Sequence, residues 1–185
     1  MRITGGKYKG RTIETVKGQE VRPTSSKVRE SIFNIIQLSE NSTVFYEGKT
    51  VMLDLFAGSG IMGLESLSRG AESVVFVEKN PKHANIIKNN LKNLGIDSKL
   101  IIADATKIID KLDEKFNFIF IDPPYHAGFY EPVLAKIQAK QLLAEDGFII
   151  LEHPVTLDIK AILSKTDFQV FKEKVYGDTG ITIII

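Results

Sequence analysis

TVMLDLFAGSGIMG, residues 50–63, decides how this chain folds. An apolar run ends at Asp54, three glycines follow at Gly58, Gly60 and Gly63, and apolar residues at helical spacing begin at once. The loop reads G-x-G-x-x-G between a strand pattern and a helix pattern. Such a loop turns the chain sharply and lets a ligand approach the backbone closely.

The same alternation continues along the chain. Short apolar runs recur at 50–56, 73–77, 98–102, 116–121 and 147–152. Between them lie segments with helical periodicity, such as Ile61, Leu64 and Leu67, then Ile86, Ile87, Leu91 and Leu94 with Gly95 as the stop. Strands alternating with helices at this interval predict βαβ units on a parallel sheet, covered on both faces. The expected fold class is α/β: a doubly wound, mostly parallel sheet. The two ends depart from that scheme. Residues 1–22 predict a small hairpin around GGKYKG, and PTSSKVRESIFNIIQL predicts a helix with Val28, Ile32, Ile35 and Ile36 inward. At the C-terminus, FQVFKEKVYGD and TGITIII predict a closing antiparallel hairpin.

Composition sets the bounds. The 185 residues, 43% hydrophobic and 25% charged, fit one globular domain, 1–185, with a basic extension (1–40) and a Rossmann-like core (50–185). No apolar run reaches membrane-spanning length and the N-terminus lacks a secretory pattern, so a cytoplasmic protein is expected. The absence of cysteine excludes disulfides, thiolate metal sites and cysteine nucleophiles. The histidines show no metal-ligand spacing, so no metal is expected. The net charge of +1 hides an asymmetry: residues 1–30 carry eight Lys or Arg against three Glu. A basic end on a mildly acidic body points to an anionic partner. Lys7, Tyr8, Lys9 and Arg11 interleave cations with an aromatic, a pattern that grips nucleic acid.

Glycine loops of this kind serve both dinucleotides and S-adenosylmethionine. Asp54 separates them, because a carboxylate beside the loop repels a pyrophosphate and attracts a sulfonium with its ammonium group. Glu78 ends the second run, placed for ribose hydroxyls, and Asp104 with Ala105 follows the third, placed for an adenine edge. Phe56 and Lys79 flank these positions and join the expected cofactor set. Together with Asp122, these acids follow consecutive strands, on the edge where open α/β sheets bind ligands.

FIFIDPPY, residues 118–125, then ends a buried strand on a carboxylate, two prolines and a tyrosine. An exocyclic amine on a nucleobase is a poor nucleophile. Asp122 and the Pro123 carbonyl are suited to accept its two N–H groups, Pro123 and Pro124 to fix the backbone, and Tyr125 to stack on the base. The chemistry expected is direct in-line methyl transfer to a splayed-out base.

These motifs resemble amino-group methyltransferases of the Rossmann-like class. R-I-T-G-G-K-Y-K-G-R at 2–11, R-P-T at 22–24, V-R-E-S-I-F-N at 28–34 and Y-G-D-T at 176–179 narrow the resemblance to the RsmD-type enzymes, over essentially the whole chain. That family methylates N2 of guanine 966 in bacterial 16S ribosomal RNA, using S-adenosylmethionine and leaving S-adenosylhomocysteine. The resemblance implies that Asp54, Gly58, Gly60, Glu78 and Asp104 bind the cofactor, that Asp122, Pro123 and Tyr125 hold the guanine, and that Arg22 and Thr24 lie close by in the RNA-binding extension. It also implies a monomer acting on a partly or fully assembled small subunit. The competing readings are an adenine-N6 methyltransferase, which ordinarily needs a separate target-recognition domain, a non-catalytic RNA-binding assembly factor, and a nicotinamide-dependent oxidoreductase. Phe129 and Tyr130 are expected in the core, Met52 and Met62 as packing, and His126 as a solvated loop residue.

Overall fold

In the computed structural model the described residues are 1–16, 24–37, 49–124 and 128–185. In chain order the elements are α1 (Ser26–Gln37), β1 (Val51–Asp54), α2 (Ile61–Ser68), β2 (Ser73–Glu78), α3 (Pro81–Leu94), β3 (Lys99–Ile102), α4 (Ala105–Ile108), β4 (Phe116–Ile121), α5 (Tyr130–Ala139), β5 (Leu143–Pro154), α6 (Ile159–Leu163), β6 (Val170–Tyr176) and β7 (Thr179–Ile184). One seven-stranded sheet runs in the order β3-β2-β1-β4-β5-β7-β6. The first five strands are parallel, and β7 pairs antiparallel with both β5 and β6. The doubly wound core and the closing hairpin are as the sequence predicts.

Alternation along each strand splits the core into two layers. One face carries Met52, Val74, Phe76, Phe118, Phe120, Phe148 and Ile150, packed against α1, α2 and α3. The other carries Leu53, Val75, Val77, Ile119, Ile121, Ile149 and Leu151, packed against α4, α5 and α6. α3 has clear boundaries: the Asn80 side chain caps its start, Pro81 opens it, and Gly95 ends it at φ 67°.

Two expectations change in extent. The N-terminal hairpin is short: one antiparallel bridge, Arg2 to Thr12, flanked by backbone bonds between Met1 and Ile13 and between Ile3 and Arg11. β5 begins at Leu143, earlier than the apolar run shows. β7 is buried along its whole length, while β6 forms the exposed edge. Ile3 and Ile13 are buried with α1 in the first core layer. Among the described residues no helix is long and apolar enough to cross a membrane.

A buried ion cluster joins the N-terminal segment to α1 and α2. Arg29 and Glu65 are both 0% exposed. Glu65 accepts bonds from Thr4 N, Thr4 Oγ1, Gly5 N and Arg69 Nε at 2.7–3.2 Å, and Arg29 Nε lies 3.6 Å away. Arg29 also donates to the carbonyls of Thr24 and Arg2, both at 2.7 Å. Burial pulls the Arg29 guanidinium below its ordinary pKa, and Glu65 opposes that pull.

Candidate active site

At the carboxyl ends of the strands lies a cleft of about 690 Å³, a size suited to a cofactor. Asp54, Phe56, Gly58, Glu78, Lys79, Asp104, Ala105, Asp122, Pro123 and Pro124, all expected from sequence, line it, as does Thr24. Gly60, also expected, is not among the lining residues. It adopts φ 78°, the left-handed conformation that glycine takes without strain, and opens α2. Gly63 serves close packing: a Cβ there would lie 2.3 Å from the Phe76 ring.

Four acids lie at or near the carboxyl ends of neighbouring strands, on one face. Leu53, Val77, Ile121 and Leu151 all point to the second core layer, so the residues after them, Asp54, Glu78, Asp122 and Glu152, point to the first. Across the sheet their order is Glu78, Asp54, Asp122, Glu152. Asp54 is 1% exposed, and its Oδ2 accepts the Gly63 amide at 3.1 Å. Burial raises its pKa to about 7, against the pull of that amide. Glu78 accepts the Gly58 amide at 2.7 Å and the Asn80 amide at 2.7 Å, locking the glycine loop to β2. Asp104 caps α4, accepting Thr106 N and Oγ1, and bonds Lys79 at 2.8 Å. The Lys79 bond, with Thr106, lowers its pKa to about 2. Asp122 is half-buried, and desolvation, then the charges of Glu152 and Asp54, raises its pKa well above the carboxylate range. Asp104 is thus ionised at neutral pH, while Asp54 and Asp122 hold protons readily.

Some placements differ from expectation. Phe129 is not in the core: it is half-buried, meets Phe56 edge-on at 5.8 Å and lines the cleft. The start of α5 carries its ring outward while Tyr130, one residue on, turns inward and bonds the Glu152 carbonyl at 2.6 Å. His83 also lines the cleft, 3.7 Å from Glu78. Met52 and Met62 are buried as expected, and Met62 also reaches the cleft wall. Tyr125, His126 and Arg22 lie outside the described residues. Among the described residues no group of three or more His, Asp or Glu is arranged to hold a metal ion.

The structure does not bring the basic N-terminal cluster to the cleft. Lys7 N bonds the Ser68 carbonyl and Arg11 bonds the Asn93 carbonyl, at the far ends of α2 and α3. Tyr8 is half-buried against the first core layer, with Lys7 Nζ 5.1 Å above its ring. Lys7, Lys9 and Arg11 are exposed. From there the chain climbs α3, where buried Asn90 holds both Glu14 and the Ser59 carbonyl, and reaches the cleft at Val16.

Sequence reading missed Glu152. It is 4% exposed and accepts a 2.7 Å bond from Thr24 Oγ1. The signal was present: FIILE at 148–152 ends an apolar run on an acid, as VMLD and FIFID do.

This strand order, with an acid-lined cleft at the carboxyl edge, is the class I methyltransferase fold, and S-adenosylmethionine is the cofactor that fold implies. The chain belongs to the family described as Conserved hypothetical protein 95, which it matches over residues 1–185. It is 38% identical over 188 residues to YlbH of Bacillus subtilis, named as a candidate rRNA methyltransferase, covering 99% of this chain and 97% of that one. It is 30% identical over 182 residues to ribosomal RNA small subunit methyltransferase D of Haemophilus influenzae, covering 96% and 89%. The solved structure of yhhF from Escherichia coli, described as a candidate methyltransferase, superposes with a TM-score of 0.82 at 28% identity, covering 100% of this chain and 96% of that one.

Proposed function

We propose that this protein transfers a methyl group from S-adenosylmethionine to the exocyclic N2 amine of a guanine in 16S ribosomal RNA, within a partly or fully assembled small subunit. The Asp122-Pro123-Pro124 turn, opening directly into the acid-lined cleft, carries this reading. A relative named as a small-subunit rRNA methyltransferase supports the substrate class.

The cleft fits the cofactor. Asp54, Glu78 and Asp104 line it, a set of carboxylates that favours a sulfonium and an ammonium and disfavours a pyrophosphate. Asp54 and Gly58 would hold the amino-acid end, Glu78 the ribose, and Asp104, Lys79 and Ala105 the adenine. When bound, S-adenosylmethionine supplies an electrophilic methyl group. Asp122 and the Pro123 carbonyl would accept the target amine's two N–H groups and aim its lone pair. The paired prolines hold these acceptors before the base arrives. Phe129 offers a half-buried aromatic face at the cleft.

Labelled methyl transfer to undermethylated small subunits, naked 16S RNA and duplex DNA tests the substrate class. Label is expected in the ribosomal substrates alone, and label in DNA alone would overturn the reading.

Asp54 gives a pH signature. Below pH 7 it carries a proton in the free protein, whereas a cationic ligand favours the ionised form. Binding there must expel the proton. Affinity for S-adenosylmethionine should therefore rise toward pH 7, by up to about tenfold per pH unit, and flatten above it. Calorimetry on the protein and on Asp54→Asn, which retains the ligand's own titration as reference, checks this. Equal pH profiles for the two would refute it.

Lys7, Lys9 and Arg11 would touch RNA backbone at a distance from the target base. Replacing all three with serine should weaken RNA binding and flatten its salt dependence by roughly 0.7–0.9 in log–log slope for each phosphate no longer neutralised. Turnover at saturating RNA should hold. An unchanged slope in filter-binding titrations would move the RNA surface elsewhere.

A further inference from the structure

Glu152 plays no part in cofactor or base binding as assigned so far, yet it stands beside the reacting edge. β4 and β5 are in register at Ile121 and Leu151, so Asp122 and Glu152 are the next neighbours on adjacent parallel strands. Both side chains turn to the same face. Glu152 is 4% exposed, too deep for a solvated surface acid.

Its surroundings fix it. Thr24 Oγ1 donates to Glu152 Oε2 at 2.7 Å. The Thr24 carbonyl is in turn held by Arg29 Nη1 at 2.7 Å, and Arg29 rests on Glu65. Tyr130 bonds the Glu152 backbone carbonyl from the opposite layer, and β7 pairs with Glu152 at Ile181.

We propose that Glu152, held by Thr24, is a positioning residue for Asp122: its negative charge on the neighbouring strand makes Asp122 the group that takes the proton released by the methylated amine. The proposal rests on the amine-methyltransferase reading. In the step itself a nitrogen–carbon bond forms and the carbon–sulfur bond breaks, its electron pair staying on sulfur. The amine nitrogen, transiently positive, gives one N–H proton to the Asp122 carboxylate, which later passes it to water. No further reactant is needed.

Two carboxylates at neighbouring positions of paired strands, one buried and one half-buried, resist joint ionisation, so each strengthens the other's hold on a proton. The raised pKa of Asp122, to which Glu152 contributes after burial, agrees with that picture. Among the described residues, the charged and titratable groups near Asp122 are Asp54 on β1 and Glu152 on β5, with Glu78, Lys79, His83 and Asp104 further along the cleft. Glu152 and Asp54 are the charges that contribute to its shift, and Thr24 of the N-terminal segment engages Glu152. A proton acceptor works best when its pKa lies near the working pH, which an ordinary aspartate does not reach.

The test is a carbon-13 NMR titration of the aspartate carboxyls in the full chain, with Asp122→Asn assigning the resonance. In the unsubstituted protein Asp122 should titrate in coupled steps, sensing Glu152. In Glu152→Gln its midpoint should fall by about one pH unit or more. The acid limb of single-turnover methyl transfer should move down with it, while Glu152→Asp should restore the limb. An isolated one-step titration of Asp122 in the unsubstituted protein overturns the inference, even if Glu152→Gln fails to fold. So does an unmoved midpoint in a folded Glu152→Gln. Absence of methyl transfer by the unsubstituted protein on every RNA would instead defeat the proposed function, and the titration would still decide the Asp122–Glu152 coupling.

Discussion

Asp122→Ala is expected to abolish methyl transfer while leaving S-adenosylmethionine binding nearly intact. The separation follows from where the acids sit. Glu78 and Asp104 lie on β2 and after β3, on one side of β1, whereas Asp122 follows β4 on the other. Removing a preorganised acceptor at the reacting group should cost at least about a hundredfold in the chemical step. Folding should not suffer, because burial and two like charges already oppose ionisation of Asp122. Single-turnover rates, cofactor calorimetry and thermal unfolding on one preparation measure all three. Equal loss of transfer and cofactor binding would count against the assigned role.

Arg29→Ala should be among the most destabilising single changes in the chain. Arg29 and Glu65 are fully buried, and the substitution removes one of the two cations beside the buried Glu65 carboxylate. Arg69 remains at 2.9 Å and moderates the loss. Breaking such a pair costs about 3–5 kcal/mol, or about 10 °C in Tm for a chain of this size. The carbonyls of Thr24 and Arg2 lose their donor as well. Thermal unfolding should therefore fall sharply, and surviving folded protein should bind RNA poorly because the N-terminal segment is released. A Tm within about 2 °C of the unsubstituted protein, well below that expectation, would show that the cluster does not anchor this segment.

Much of this was legible in the residues. The sheet could be read because parallel strands buried on both faces are continuous apolar runs, and the glycine loop and Gly95 stop mark where strand turns to helix. The strand-end acids could be read because a carboxylate has no place inside such a run. What escaped were the features set by residues far apart in the chain. The Arg29–Glu65 pair is 36 residues apart in sequence and looks like two ordinary surface charges on two helices. Glu152 is one more acid until Thr24, 128 residues away, is placed on it. The basic cluster suggested a grip on RNA but not its place, and the backbone bond of Lys7 to Ser68 puts it at the far end of α2. Phe129 was assigned to the core with Tyr130 because periodicity alone cannot tell which residue of a helix start turns toward a cleft.

Nucleoside analysis of the methylated RNA tests the central claim most directly. Undermethylated small subunits are incubated with the protein and labelled S-adenosylmethionine, the RNA is digested, and labelled nucleosides are identified by mass spectrometry. N2-methylguanosine alone is the expected product, lost with Asp122→Ala. Labelled N6-methyladenosine in its place would contradict the guanine assignment while leaving the amine chemistry of the Asp122 turn standing.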